Sequence, residues 1–221
     1  MKIAAATLLS ALAVLGATAS ASAAPGAAPC GVSGYNYAGV GGLQTSSGVA
    51  GTIRAMAAPK VEAGHVAAWV GFGGYGAGKG GSDAWLQAGI ITKAAGAPSL
   101  YWEVTRPGHE PELVVLREAE VGRAYRVSVR EVAKETWRAF VDGVAVSPAF
   151  VLPGSSGRWE ATAVAESWDG GAAVCNHFRF AFADLTTRRE DAWREFGKRF
   201  RLEGGAYRLA EVTRRSFLAV S

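Results

Sequence analysis

An all-β, antiparallel sandwich is the fold class this sequence predicts, and three observations point to it. The 221-residue chain holds 29 glycines and 7 tryptophans, with 49% hydrophobic residues, a composition suited to many short strands joined by turns. Strand-like runs recur at regular spacing with turn residues between them. Asp142-Gly143, set between Phe140-Val141 and Val144, is the best hairpin signal, because a two-residue turn needs φ > 0 at both positions.

Taken in order, the chain begins with Lys2, an apolar run from Ile3 to Ala17, and small residues ending Ala21-Ser22-Ala23-Ala24-Pro25. A basic start, an apolar segment too short to span a bilayer and a small-residue cleavage site describe a secretory signal peptide over residues 1–24. No second hydrophobic span follows, so a soluble, exported product is expected. Residues 25–34 form a short Gly/Ala/Pro tail, and 35–221 read as a single domain. About 197 residues remain after cleavage, enough for one β domain with a substantial core.

Strands are expected at Tyr35–Val40, Val49–Met56, His65–Phe72, Ala84–Lys93, Ser99–Thr105 and Glu112–Leu116. Further strands are expected at Ala124–Glu131, Thr136–Val141, Val144–Val146, Arg158–Trp168 and Asn176–Asp184, with two more near Ala206–Glu211 and Ser216–Val220. Clean alternation in Tyr125-Arg126-Val127-Ser128-Val129-Arg130 marks a strand with one buried and one wet face. From Arg188 to Arg199, Ala192, Phe196 and Phe200 recur at about helical spacing among charged residues, which predicts one short surface helix.

A net charge of +4 and a pI near 9.2 are mild. The basic residues near the C-terminus are interleaved with acids, so a nucleic-acid face is not expected. Cys30 and Cys175 are the two cysteines, and in an exported protein a lone pair reads as a disulfide rather than a metal site. Such a bridge would close a long loop and contribute about 4 kcal/mol in the chain-entropy model.

Gly71-Phe72-Gly73-Gly74-Tyr75-Gly76 matches the dinucleotide fingerprint formally, but no helix opens after it. A flexible loop from Gly71 to Ser82 is the better reading. His65, His109 and His177 are scattered, without zinc spacing, and no metal or cofactor is expected. No Gly-x-Ser-x-Gly elbow and no Asp-Thr-Gly or Asp-Ser-Gly occurs, which narrows the chemistry to carboxylates and amides. In Asp83-Ala84-Trp85-Leu86-Gln87-Ala88-Gly89-Ile90, Trp85, Gln87 and Gly89 share one face while Leu86, Ala88 and Ile90 share the other. Candidate carboxylates are Glu103, Glu160, Glu166 and Asp169. On the strand ending at Trp168, Glu160, Thr162, Val164, Glu166 and Trp168 share a face, where an acid could be partly desolvated and suited to acid/base work.

Several pieces in order resemble one family: Tyr37-Ala38-Gly39, Gly48-Val49-Ala50-Gly51-Thr52, Ala68-Trp69-Val70-Gly71-Phe72-Gly73-Gly74 and Leu86-Gln87-Ala88-Gly89. Tyr101-Trp102-Glu103 before Pro107, Val164-Ala165-Glu166 and Phe180-Ala181-Phe182-Ala183-Asp184 complete the series. Together they resemble the glutamic peptidases, or eqolisins, in a secreted, bacterial-type form. The resemblance implies a concanavalin-like sandwich of two large antiparallel sheets and a secreted acid endopeptidase. It implies a dyad at Gln87 and Glu166: the glutamate as general base and then acid on an attacking water, the glutamine orienting that water and stabilising the oxyanion. It also implies substrate contacts at Trp69, Tyr101, Trp102 and Glu103, a protein or peptide substrate, and no membrane partner once the signal is removed. A monomer is expected. The chain departs from the family where Tyr37 stands for Trp, Gly73 for Asp, and Ala163 for an aromatic.

Two other classes compete. A carbohydrate-binding or carbohydrate-active sandwich would need two carboxylates about 5 Å apart to act as a retaining glycosidase, and Glu160 and Glu166 are too far apart along one strand. A non-catalytic peptide-binding module would share every feature except turnover. The disulfide is tested by counting free thiols in the unreduced mature protein: none is expected, and two titratable thiols rule the bridge out.

Overall fold

The computed structural model describes residues 34–168, 175–204 and 207–221. The expected signal peptide, most of the tail, Cys30 and Asp169 lie outside the described residues. Strands occupy Tyr35–Thr45 (β1), Gly48–Ala55 (β2), Lys60–Val61 (β3), His65–Gly74 (β4), Ala84–Lys93 (β5) and Ser99–Thr105 (β6). Next come Glu112–Glu118 (β7), Tyr125–Ala133 (β8), Thr136–Val141 (β9), Val144–Ala145 (β10), Phe150–Val151 (β11) and Glu160–Trp168 (β12). The last are Asn176–His177 (β13), Arg179–Arg189 (β14), Ala192–Glu195 (β15), Arg199–Glu203 (β16), Arg208–Ala210 (β17) and Phe217–Val220 (β18).

These strands form two large antiparallel sheets and a two-stranded pair. The first sheet runs β16-β1-β12-β4-β5-β6-β7, and the second runs β10-β9-β8-β2-β14-β18-β17 with β11 on β9 and β15 on β14. β13 pairs with β3. Alternation assigns each strand's apolar face to the space between the sheets. On β8, Tyr125, Val127 and Val129 are fully buried, and the expected Asp142-Gly143 turn forms with φ of 50° and 82° and pairs Val141 with Val144.

Aromatic side chains from both sheets meet in the core. Phe72 of β4 lies 4.7 Å from Trp137 of β9, and Trp137 lies 5.5 Å from Trp159. The Trp137 indole N–H donates to Ser155 Oγ at 2.8 Å, so its one polar atom is satisfied while the ring is buried.

The expected helix from Arg188 to Arg199 is not there. β14 runs on to Arg189, Glu190 and Asp191 turn with φ of 50° and 59°, and Arg189 pairs with Ala192 in a hairpin. Two consecutive residues at positive φ break a helix and build a two-residue β-turn. Phe196 is buried, whereas Phe200 is exposed, so the spacing that resembled a helical stripe is shared between a hairpin and the edge strand β16. Lys79–Gly81 forms a single 3-10 turn. Among the described residues no helix is long and apolar enough to cross a membrane. β4 also extends to Gly74, past the expected loop start at Gly71.

Two close backbone approaches fix the centre of the first sheet. Gly89 of β5 pairs with Trp69 and with Tyr101. A Cβ there would collide with the Ala68 carbonyl oxygen and lie 2.7 Å from Trp69 Cα. Gly73 has φ of 87°, and a Cβ would meet the Ala84 carbonyl oxygen, so the aspartate that the resemblance puts at this position has no room in this backbone. Gly89→Ala is expected to cost about 3 kcal/mol, the upper end for overpacking. Urea denaturation checks this, and an unchanged midpoint would contradict the packing.

Candidate functional site

One face of the first sheet packs on the core; the other forms a groove of about 590 Å³. Each strand contributes by alternation. β12 turns Thr162, Val164, Glu166 and Trp168 into the groove and sends Ala161, Ala163 and Ala165 into the core. β5 turns Trp85 and Gln87 into the groove and buries Leu86, Ala88 and Ile90 behind them. β1 adds Tyr35 and Tyr37, β4 adds His65 and Trp69, and β6 adds Glu103. Tyr37 stands directly opposite Glu166 in the β1–β12 register.

Gln87 and Glu103 are paired across β5 and β6, and their side chains bond. The Gln87 Nε2 group donates to Glu103 Oε2 at 3.2 Å and to the Tyr101 hydroxyl at 3.2 Å. The Trp85 indole N–H donates to Glu103 Oε1 at 3.2 Å. Gln87 is 7% exposed and Glu166 3%, so both polar groups sit in surroundings where a missing partner is expensive. The Trp69 indole nitrogen is buried with no partner, and the ring lines the groove.

Burial, followed by the charge of Glu166, pushes the Glu103 carboxyl above its ordinary value; the bonds from Trp85 and Gln87 and the nearby His65 oppose this. Two carboxylates sharing one poorly solvated space disfavour double ionisation. Burial and then Glu166 also raise the Tyr37 hydroxyl. Burial is likewise the largest cause for Tyr101, with Glu166 and Glu103 adding to it. Both phenols therefore stay protonated, and the Tyr101 hydroxyl accepts from the Gln87 amide. Along β4, Gln87 and Glu166 are offset by four positions: Gln87 sits opposite Gly71, level with Thr162 of β12, and Glu166 sits opposite Ala67.

The structure thus brings Gln87, Glu166, Trp69 and Glu103 to one groove. Tyr101 lies beneath it, fully buried with Ala67, Ile91 and partly buried Trp69, and touches Gln87 through its hydroxyl. Trp102 points the other way: it packs in the core 5.2 Å from Phe150, because its neighbours Tyr101 and Glu103 hold the opposite face. Glu160 is exposed at the start of β12 and does not line the groove. Cys175 is buried, and its expected partner Cys30 lies outside the described residues.

His65, which the sequence shows only as a histidine without zinc spacing, is brought to Glu166 by the fold. Its Nε2 lies 3.4 Å from Glu166 Oε1, and the ring stacks on Trp168 at 5.3 Å. Its place opposite Trp168, two positions from the residue that faces Glu166, comes only from the pairing of β4 with β12. Among the described residues no group of three or more His, Cys, Asp and Glu side chains is arranged to hold a metal.

Comparison with solved structures places this fold. Scytalido-glutamic peptidase with a transition state analog inhibitor superposes with a TM-score of 0.62 at 15% identity, covering 85% of this chain and 97% of that chain. The same peptidase with a peptide-based analog gives 0.60 at 12% identity, covering 85% and 97%. SCP-B, described as a member of the eqolisin family in complex with the tripeptide Ala-Ile-His, gives 0.61 at 16% identity, covering 85% and 98%. No protein-family model and no curated protein sequence matches the chain. At these identities the likeness establishes the fold, a β-sandwich of the eqolisin kind.

The Glu103 shift fixes a pH dependence. A carboxyl whose folded pKa is raised adds stability fully below its ordinary value, near pH 4.5, and that stability is lost as pH rises through the folded value. Glu103→Gln cannot ionise and should lose less stability between about pH 4 and 7 than wild type. Thermal melts at both pH values test this: the variant's midpoint should gain on wild type as pH rises, and parallel curves would contradict the assignment.

Proposed function

We propose that this protein is a secreted acid endopeptidase that hydrolyses peptide bonds with Gln87 and Glu166. The observation that carries the reading is an amide and a buried carboxylate lining one aromatic-walled groove, on a fold whose solved examples hold transition state analogs, one of them peptide based, and a tripeptide. Residues 1–24 are the cleaved signal, and a Cys30–Cys175 bridge ties the tail to the domain 35–221.

A peptide lies along the groove with its scissile carbonyl between the two side chains. Glu166, as carboxylate, accepts a proton from a water whose oxygen attacks the carbonyl carbon. The carbonyl π pair moves to oxygen, and the Gln87 N–H donates to that oxyanion. An amide pre-aimed in this way is worth about 10²–10³ in rate and keeps its proton at any acidic pH. Protonated Glu166 then gives its proton to the leaving nitrogen as the C–N bond breaks, releasing a carboxylic acid and an amine.

Both Gln87 hydrogens are directed at Glu103 and Tyr101, which ties the reaction to acid. When Glu103 is protonated it no longer holds the amide by charge, and an N–H becomes available to the substrate. The raised Glu103 carboxyl extends that state upward in pH. Trp69, whose indole N–H lacks a partner, donates to the substrate backbone.

A non-catalytic peptide-binding module is the competing reading, and the engaged Gln87 amide is the observation in its favour. Incubation of the mature protein with denatured protein across about pH 2 to 7 separates the two. Cleavage is expected at the acid end, with Gln87→Ala slower by about 10²–10³ and Glu166→Gln inactive while still folded. Undiminished cleavage by Glu166→Gln would sink the mechanism, and binding without cleavage by wild type would favour the module.

A further inference from the structure

Glu166 is held by a residue outside the amide–carboxylate pair. His65 opens β4, paired on one side with Trp168 of β12 and on the other with Lys93 of β5. Its ring lies against the Trp168 indole at 25° between planes, and its side chain is 14% exposed. Packing of this kind fixes the imidazole plane and aims Nε2 at Glu166 Oε1. The charged and titratable groups around it are Glu166 of β12, Lys93 of β5, Glu103 of β6, and Tyr35 and Tyr37 of β1. Glu166 Oε1 is the nearest acceptor, and Lys93 is exposed and of like sign when the imidazole is charged.

A glutamate has three side-chain torsions, and its two oxygens are chemically equivalent. Left alone at a groove floor it samples several orientations. A donor fixed on one oxygen removes that freedom and leaves the second oxygen as the single acceptor for water, which is what a general base needs within hydrogen-bond reach.

We infer that His65 is a positioning residue that clamps Glu166 Oε1 through Nε2–H, so that Oε2 takes the proton of the attacking water; this rests on the peptidase reading of the site. The water's proton goes to Oε2 and later to the leaving nitrogen, so the histidine enters no bond-making step.

Two measurements test this together. In steady-state kinetics at acidic pH, His65→Ala is expected to lose kcat by about 10- to 100-fold, the penalty for a misplaced catalytic group, with KM within about twofold of wild type. His65→Gln, whose amide nitrogen stands where Nε2 does, should recover part of that loss. A wild-type kcat in His65→Ala, or a change confined to KM, overturns the inference. Side-chain NMR reads the clamp without turnover: the His65 Nε2–H resonance should be protected in wild type and lost in Glu166→Ala. An unchanged resonance overturns the contact itself. A protected resonance in a wild-type protein that cleaves nothing overturns the catalytic role and the peptidase reading together, leaving only a structural pair.

Discussion

Strand alternation in the seven-stranded sheet is the constraint on which the rest of the molecule depends. A one-residue slip in any of β1, β12, β4, β5 or β6 would exchange groove and core faces. On β5 it would bury Gln87 between the sheets and expose Leu86; on β12 it would do the same to Glu166 and Ala165. The register is held where backbones come too close for a side chain, at Gly89 against Ala68 and Trp69, and by Phe72, Trp137 and Trp159 between the sheets. Core packing therefore sets the chemistry of the groove even though the two faces share no side chain.

That chemistry follows from placing two carboxylates in one poorly hydrated space. Burial, and after it the charge of Glu166, disfavours the ionised form of Glu103. Glu103 is the group whose carboxyl is pushed upward. Its partners, the Trp85 indole and the Gln87 amide, are neutral donors that cannot compensate a full charge. The proposed preference for acid rests on this polar network, and His65, 3.4 Å from Glu166 Oε1, supplies an asymmetry between the two acids.

Much of the fold was legible in the sequence, because alternation and turn chemistry act locally. β5, β6 and β9 lie where the sequence puts them, and Asp142-Gly143 turns as its residue types demand. The helix expected across Ala192, Phe196 and Phe200 failed because spacing alone does not register that Glu190 and Asp191 turn at positive φ. The shared face of Trp85 with Gln87, and of Glu166 with Trp168, was readable for the same local reason. Their meeting in one groove was not, since it depends on which strands are neighbours. Trp102 shows the limit of a resemblance: a position carried over as a substrate contact lies on the core side of β6. His65 shows the converse, a residue with no local signal whose place beside Glu166 exists only through the pairing of β4 with β12.

The central claim is that Gln87 and Glu166 act on one carbonyl from two sides of the groove. A crystal structure of Glu166→Gln at acidic pH with an uncleaved peptide tests it most directly. The account predicts a peptide carbonyl oxygen about 3 Å from Gln87 Nε2, with the amide turned away from Glu103 and residue 166 facing the carbonyl carbon through one water. A peptide bound elsewhere, or bound in the groove with the Gln87 amide still held by Glu103 and Tyr101, would contradict it.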